Sequence, residues 1–528
     1  MHRPNKSEPL TLSSLRKFDQ CTIDGLVSIK NDEIELPLAE QLAVHEAREL
    51  SDDPNTNWEI DQILFRRFSD DRSSQVAAYI IDNKSGQYDT NTLADLQQKL
   101  WLNGKAPLVY VHQKTKVEIL SCAREQEFWK DGQLCYHPSD QYRIAATISE
   151  REQEKKERYW YAHLVDGTFW NEEKNAKLAN ADKTSHKLLI DSVISADQRL
   201  DGEKNPALRR LLLIFVLIKY LEDREIFPKG WFGSNYHKGA RCFLDVLSKA
   251  PLYKIKNLLR NLESRFNGDV FSLSDDDWSG LTVNRIRAFS DLINTRIIDE
   301  QLYLWDQYSF RYIPAEVLSH LYQHFSDRSK EAIFTPPFLA SLLLDYTMPF
   351  EEISGKERIC DPTCGSGIFL VGAFRRLIAK WRSEHNWRHP GVEELKKILR
   401  NSIYGVELQD DSLPMAAFNL ALAVCDSLMP NVIWKDLRFD NLIGSNLFPG
   451  DFFGNIDQLK KATRQKGFDI ILGNPPFASV MTPAGVKLEQ ALPKDFPEIP
   501  DSQIAFAIAR HSMTLLSDGG RLCLIQPS

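Results

Sequence analysis

The fold of this chain can be predicted from one run, which reads Arg358-Ile359-Cys360-Asp361-Pro362-Thr363-Cys364-Gly365-Ser366-Gly367-Ile368. Its first residues are typical of a short strand, Gly365 and Gly367 form a turn, and a helix begins at Ile368. This combination is the usual cradle for a nucleotide-like ligand in parallel sheets. The glycines let the backbone approach a ligand closely, and Asp361 can receive a cationic or hydrogen-bond-donating group. Neither dinucleotide nor ATP binding is favoured, because Gly-x-Gly-x-x-Gly and Gly-Lys-Ser/Thr are both missing from the run.

The region around this run alternates short apolar strands with helices, which is typical of a doubly wound α/β sheet. The predicted strands are residues 358–360, 402–406, 469–472 and 521–525. The predicted helices are residues 367–381, 393–399, 412–428 and 502–516. We therefore expect an α/β fold for residues 331–528.

Two other positions fit a ligand held by this sheet. Glu407 ends the second predicted strand, where an acidic residue is placed to take two ribose hydroxyls. The run Phe334-Thr335-Pro336-Pro337-Phe338 precedes an apolar helix predicted at residues 339–346. Thr335 and Pro336 are expected to cap that helix and to cover one end of the ligand.

A third run, Asn474-Pro475-Pro476-Phe477, follows the apolar strand at residues 469–472. It offers the side-chain carbonyl of Asn474, a backbone carbonyl held by fixed proline torsions, and the ring of Phe477. Two carbonyl groups aimed at one amino group can accept hydrogen bonds from both of its N–H groups. The ring can stack on the base that carries the amino group. This pattern indicates methyl transfer to an exocyclic nitrogen.

With these runs in this order, the chain resembles the gamma-class N6-adenine DNA methyltransferases, particularly those of type I and type IIG restriction-modification and phage-defence systems. The resemblance covers residues 331–528 and implies an incomplete doubly wound, Rossmann-like domain. It implies S-adenosylmethionine as cofactor, adenine N6 in DNA as acceptor, and a target base flipped out of the duplex. The implied catalytic residues are Asn474, Pro475, Pro476 and Phe477. The implied cofactor-binding residues are Thr335, Pro336, Asp361, Thr363, Gly365, Gly367 and Glu407.

The chain departs from that family at two points. The family often carries an acidic residue at the end of the third strand, where it touches the adenine of the cofactor. Here Ser445 or Asn446 is expected in that place as a cofactor-binding residue. The family's sheet also continues beyond the strand predicted at residues 521–525 and is followed by a target-recognition domain. We therefore expect half of a split enzyme, a truncated product or a fragment. DNA is the expected partner, together with a separate specificity or completing subunit.

Three domains are predicted along the chain. Residues 1–145 are expected to form a small α/β domain, residues 146–330 a helical connector, and residues 331–528 the methyltransferase domain. In the first, the predicted helices are 38–50 and 91–101 and the predicted strands 75–82, 108–111 and 117–122. In the second, a solvated helix or linker is predicted at 149–158 and helices at 208–223, 253–266 and 314–325.

Other functions remain open at this point. Asp82-Asn83-Lys84 ends a predicted strand, as the catalytic motif of many nucleases does, and Asp61 and Asp70 lie upstream. This would make the chain a fused endonuclease and methyltransferase. Enzymes that methylate glutamine in release factors or guanine N2 in ribosomal RNA also use an Asn-Pro-Pro-aromatic run. A last alternative is a subunit without catalytic activity.

Composition limits the class of protein further. The formal net charge of -8 argues against a generally basic nucleic-acid coat, although local basic patches can still bind DNA. The eight cysteines are scattered without a Cys-x-x-Cys pair, which favours a reduced, cytoplasmic protein with no metal site. No signal peptide or membrane-spanning run is expected, because the longest apolar run, Leu211 to Ile218, is far too short.

Overall fold

The structure is a computed structural model that describes residues 25–30, 36–70, 72–122, 129–130, 133–145, 147–178, 184–266, 271–294, 308–313, 317–318, 321, 335–409, 412–493 and 496–526. The chain folds into two compact units. The first comprises residues 1–69 and 74–187, and the second comprises residues 70–73 and 188–528. The predicted division into three domains differs in number from these two units and remains a prediction.

The first unit combines a mixed sheet with several helices. Its strands are β1 (Leu26–Ser28), β2 (Gln62–Arg66), β3 (Gln75–Asn83), β4 (Leu108–Gln113), β5 (Lys116–Ser121), β6 (Trp129–Lys130), β7 (Gln133–Leu134) and β8 (Asp140–Arg143). Its helices are α1 (Leu38–Ser51), α2 (Thr90–Asn103), α3 (Glu150–Arg158), α4 (Tyr161–Val165) and α5 (Thr168–Asn171), with a 3-10 helix at Glu173–Leu178.

The sheet of the first unit has the strand order β1-β2-β3-β4-β5-β8. Neighbouring strands are antiparallel except β3 and β4, which are parallel because α2 crosses between them. β4 and β5 correspond to the strands predicted at residues 108–111 and 117–122, and they pair antiparallel. Helix α3 is the charged stretch, and it begins at the N-cap Ser149 and buries none of its residues.

The second unit begins with a helical part. Its helices are α6 (Ser185–Arg199), α7 (Pro206–Asp223), α8 (Trp231–Asn235), α9 (Phe243–Lys249), α10 (Leu252–Phe266), α11 (Asp275–Gly280) and α12 (Val283–Asn294). Helix α7 is buried on most of its surface, as expected for a helix that is apolar on most sides. The helix predicted at residues 314–325 lies largely outside the described residues. No helix among the described residues is both long and apolar enough to cross a membrane.

The second unit continues with an α/β part. Its strands are β9 (Ile359–Asp361), β10 (Ile403–Glu407), β11 (Leu447–Pro449), β12 (Phe468–Gly473) and β13 (Leu516–Leu524). Its helices are α13 (Pro337–Thr347), α14 (Ile368–Glu384), α15 (Val392–Ser402), α16 (Leu413–Asp426), α17 (Pro430–Asp436), α18 (Phe452–Ala462), α19 (Pro483–Gln490) and α20 (Ile504–Met513), with a 3-10 helix at Pro500–Ser502.

All strands of this second sheet are parallel, in the order β11-β10-β9-β12-β13. The predicted doubly wound sheet is therefore confirmed. The chain builds outward from β9 through β10 to β11 and then returns to place β12 on the other side of β9. That reversal between β9 and β12 is the point of such sheets where ligands bind, outside the carboxyl ends of the strands.

Candidate active site

Three polar side chains stand at the carboxyl ends of adjacent strands. Asp361 ends β9, Glu407 ends β10, and Asn474 directly follows β12. The register pairs Gly405 of β10 with Asp361 and Ile471 of β12 with Cys360, so all three ends lie on one edge of the sheet. The structure thus brings together three residues that lie far apart in the sequence, at the place where the strand order reverses.

The glycine turn is held against β10. The Cys364 N–H donates to the Val406 carbonyl at 2.8 Å, and the Gly365 N–H donates to Glu407 Oε2 at 2.7 Å. Gly365 has a φ of +52°, and a Cβ atom added there would meet nothing within 4 Å. The turn therefore presents bare backbone to open space, as close approach by a ligand requires.

Gly367 serves packing in addition to the turn. It is the N-cap of α14 with a φ of +85°, a conformation that L side chains rarely adopt. A Cβ atom here would lie 3.2 Å from the Cβ of Ala416 on α16. The glycine thus lets the start of α14 pack closely against α16.

Asp361 is buried, and one of its oxygens has no protein partner. The residue is 1% exposed, and its Oδ1 accepts the Thr363 N–H at 3.0 Å. Asp361 Oδ2 and the Thr363 hydroxyl are both buried without a hydrogen-bond partner among the described residues. Burial raises the pKa of the Asp361 carboxyl to about 8, and the charge of Glu407 acts in the same direction. Because buried polar groups are normally hydrogen-bonded, these two are suited to the polar groups of a bound ligand.

The Glu407 carboxylate is oriented by backbone groups. Its Oε2 accepts the Gly365 N–H, and its Oε1 accepts the Gln409 N–H at 2.9 Å. An ionised carboxylate has about four acceptor positions. The two backbone bonds therefore fix the direction of the carboxylate.

Asn474 presents a free acceptor at the same edge. Its Nδ2 donates to the Thr335 hydroxyl at 3.1 Å, and its Oδ1 is buried without a partner among the described residues. Pro475 is buried, whereas Pro476 and Phe477 are exposed, and Phe477 keeps 39% of its surface accessible. The run thus places an unused carbonyl oxygen next to an accessible aromatic ring.

The predicted cap of the helix after Thr335 requires a correction. Pro336 occupies the N-cap of α13 and no side chain caps that helix. Thr335 is 5% exposed and accepts a hydrogen bond from Asn474 instead. Thr335 therefore contacts the site through its hydrogen bond with Asn474. Its hydroxyl does not cap the helix.

The expected position of Ser445 and Asn446 is also corrected. The third strand, β11, starts after them at Leu447, so both residues precede the strand and lie at its amino end. The Asn446 amide donates to the carbonyl of Ile403, the first residue of β10, at 2.8 Å. The carboxyl end of β11 instead leads into Asp451, which sequence reasoning missed.

Asp451 is the acidic residue that follows the third strand. Its Oδ2 accepts the Thr482 hydroxyl at 2.7 Å, and the preceding Gly450 donates its N–H to the Glu407 carbonyl at 2.8 Å. These bonds place Asp451 beside the end of β10. The signal was the pair Gly450-Asp451 after the apolar Leu447 and Phe448, but a strand of three residues is too short to predict with ease.

The alternative nuclease motif lies in the first unit. Asp61 Oδ2 accepts the Asp82 N–H at 2.7 Å, so these two acids are neighbours, and Lys84 Nζ lies 3.8 Å from Asp82 Oδ2. Asp70 forms a separate ion pair. Within the described ranges, no group of three or more His, Cys, Asp or Glu side chains is arranged to hold a metal ion. A nuclease role therefore stays a prediction.

Comparisons with known proteins find similar sequences for part of this chain. A family model described as N-6 DNA Methylase matches residues 315–528. Over 196 residues the chain is 28% identical to the adenine-specific methyltransferase PglX of Streptomyces coelicolor, in an alignment that covers 31% of this chain and 16% of that protein. It is 24% identical over 196 residues to the type II restriction enzyme and methyltransferase RM.BcgI of Heyndrickxia coagulans, covering 37% of this chain and 23% of that protein.

The chain therefore spans less than a quarter of the length of these two relatives. Among solved structures, it is similar to the methyltransferase subunit of a type I restriction-modification system from Streptococcus thermophilus. The sequence identity is 15% and the TM-score is 0.38. The alignment covers 64% of this chain and 74% of that one.

Proposed function

We propose that the chain transfers a methyl group from S-adenosylmethionine to N6 of adenine in DNA, since a family model described as N-6 DNA Methylase matches residues 315–528. The observation that carries the proposal is the buried Oδ1 of Asn474, an acceptor without a partner among the described residues. It stands at the end of β12, next to the strand whose last residue is the buried acid Asp361. The biological setting that we propose is a restriction-modification or phage-defence system.

The residues around the glycine turn fit the proposed cofactor. Asp361 Oδ2 and the Thr363 hydroxyl are buried without a hydrogen-bond partner among the described residues, and the bare backbone at Gly365 faces open space. Glu407, held by two backbone N–H groups, takes the ribose hydroxyls. When bound, S-adenosylmethionine supplies a methyl carbon that its sulfonium centre already activates. The protein then has to bind and align the reactants rather than form a covalent intermediate.

The acceptor side follows from the Asn474 run. Asn474 Oδ1 and the carbonyl of Pro475 accept hydrogen bonds from the two N–H groups of the adenine amine, and the Phe477 ring stacks on the flipped base. Hydrogen bonds that accept from the amine increase the electron density on its nitrogen. Acceptors fixed before the reaction also need no reorganisation during it. These residues would thereby hold the nitrogen in line for methyl transfer. The transfer would break the methyl–sulfur bond, leave S-adenosylhomocysteine, and release one amine proton to solvent.

DNA is the macromolecular partner that this proposal requires. We also propose a further polypeptide or segment that reads the target sequence, since both relatives are several times longer than their alignment with this chain. In that arrangement residues 315–528 catalyse methyl transfer, and the further polypeptide or segment selects the DNA sequence that is methylated.

The test is transfer of a labelled methyl group from S-adenosylmethionine to DNA that lacks N6-methyladenine, followed by analysis of the methylated nucleoside. We expect N6-methyladenine as the product. Asn474→Ala should lower the rate by about a hundredfold or more, as the loss of one fixed polar group does in other active sites. The same variant should bind S-adenosylmethionine with unchanged affinity in a calorimetric titration, whereas Asp361→Ala should lose that binding.

Two results would overturn the proposal. One is transfer by Asn474→Ala at the rate of the unaltered chain. The other is a methyl group found on protein glutamine or on RNA guanine and none on DNA adenine, which would assign the site to another acceptor.

A further inference from the structure

The Asn474 amide has two unlike ends, and only one of them can accept a hydrogen bond from the N–H group of an amine. Its Oδ1 is an acceptor, and its Nδ2 group is a donor. The two orientations of an amide differ by half a turn about the last side-chain bond, a torsion with broad, roughly two-fold preferences. Something outside the amide must therefore decide which end faces the reacting amine.

The contact that decides this is made by Thr335. The Nδ2 group of Asn474 donates to Thr335 Oγ1 at 3.1 Å, across 139 positions of sequence, and Oδ1 is left buried without a partner among the described residues. Thr335 is itself 5% exposed, so water has little access to the bond. The Nδ2 end of the amide therefore has its hydrogen bond within the protein, and the Oδ1 end can accept one from a ligand.

Both partners are held by their own backbone. Thr335 precedes Pro336 and Asn474 precedes Pro475, and a residue before proline is restricted to extended conformations. Thr335 is also β-branched, so its χ1 angle is stiff. Pro336 in turn is the N-cap of α13, and a second proline occupies the first turn of that helix. The hydroxyl that orients the amide is thus anchored to a helix rather than to a loose loop.

From this geometry we infer that Thr335 is a positioning residue for methyl transfer, because its hydroxyl turns the Asn474 amide so that Oδ1 meets the acceptor amine. The inference rests on the proposed function for the identity of the amine. It differs from the expectation that Thr335 binds the cofactor. Without the hydroxyl, the buried donor end would lack a partner, and rotation of the amide would bring an N–H group against the N–H groups of the amine.

The kinetic test compares Thr335→Val, which keeps the shape but lacks the hydroxyl, with Thr335→Ser, which keeps the hydroxyl. Thr335→Val should lower the single-turnover rate of methyl transfer about tenfold or more, as the loss of one aligned hydrogen bond does. Thr335→Ser should restore most of the rate. Neither change should shift the affinity for S-adenosylmethionine by more than about twofold. Unfolding temperatures of both variants check that they are folded.

A second measurement does not depend on activity. In protein labelled with 15N-asparagine, the side-chain signal of Asn474 is assigned by its absence in Asn474→Ala. We expect slow hydrogen exchange of one Nδ2 proton in the unaltered chain and in Thr335→Ser, and fast exchange in Thr335→Val.

The outcomes separate this inference from the proposed function. If the unaltered chain transfers no methyl group to DNA, the proposed function fails, and the exchange measurement still decides whether Thr335 orients the amide. Equal rates or equal exchange in Thr335→Val and the unaltered chain would overturn the inference. A defect confined to S-adenosylmethionine affinity would overturn it too and would make Thr335 a cofactor-binding residue.

Discussion

Asp361 carries a buried carboxyl group at the end of β9, and its protonation links the site to folding. Burial, helped by the charge of Glu407, raises its pKa to about 8. An unfolded aspartate has a pKa of about 3.9. Between these two values the unfolded chain has lost a proton that the folded chain still holds. Stability must therefore decrease as the pH rises through this window, because the unfolded state binds fewer protons there.

Asp361→Asn removes this dependence. We expect the unfolding free energy of Asp361→Asn, relative to the unaltered chain, to increase between about pH 5 and about pH 8, by at most about 1.4 kcal/mol per pH unit. Urea denaturation without cofactor at the two pH values measures it. Asp440→Asn is the control. Burial acts to raise the pKa of Asp440, but hydrogen bonds and charge from Arg400 and Lys396 lower it overall, so Asp440 has lost its proton in both states over this range. A pH-independent difference for Asp361→Asn would contradict the assignment.

At the scale of elements, the approach of β12 to β9 shapes the site. Gly473 is the last residue of β12, and a Cβ atom there would lie 2.5 Å from Asp361 Oδ1. That distance is far below van der Waals contact, so the absence of a side chain lets the two strand ends meet. The position of the buried carboxyl therefore depends on a glycine in the neighbouring strand.

Gly473→Ala should displace Asp361 and weaken binding of S-adenosylmethionine by about tenfold or more, since about 1.4 kcal/mol is enough for that loss. Gly454 is the matched control. It lies in α18, and an added Cβ atom would meet nothing within 4 Å. Gly454→Ala should leave binding unchanged and stabilise the helix by up to about 1 kcal/mol. Calorimetric titration of both variants provides the comparison, and equal affinities would show that the contact does not position Asp361.

At the scale of the whole molecule, an ion-pair cluster joins the helical and α/β parts of the second unit. Asp426, at the end of α16, accepts hydrogen bonds from Arg224 just after α7 and from Arg375 of α14, the latter at 3.0 Å. Arg224 also donates to the buried Tyr220 hydroxyl. One carboxylate thus balances two guanidinium groups from different parts of the unit.

Asp426→Ala should remove the carboxylate that both arginines contact and destabilise the unit by about 2–4 kcal/mol. Thermal unfolding tests the effect. The control is Glu352→Ala, which removes the partner of Arg521 from a pair with 45% and 57% exposed side chains. Exposed pairs contribute about 1 kcal/mol or less. If both variants lose the same stability, the cluster does not join the two parts.

Much of the α/β part could be predicted because its signals are local. The turn between β9 and α14 follows from two glycines, and β12 follows from an apolar run that ends at Asn474. Strand β11 was missed because three residues carry too little pattern to recognise. That omission displaced the expected third-strand residue from Asp451 to Ser445 and Asn446, at the wrong end of the strand.

Local chemistry along the chain was sufficient for the strand and helix pattern, the glycine turn and the candidate residues Asp361, Glu407 and Asn474. These features depend on hydrophobic periodicity and on the torsions of glycine and proline, which act over a few neighbouring residues. Folding in three dimensions decided which residues meet. The bond between Thr335 and Asn474 spans 139 positions and depends on how α13 and β12 pack. No short-range pattern encodes such a contact, because the distance between those atoms is determined by the packing of the whole domain.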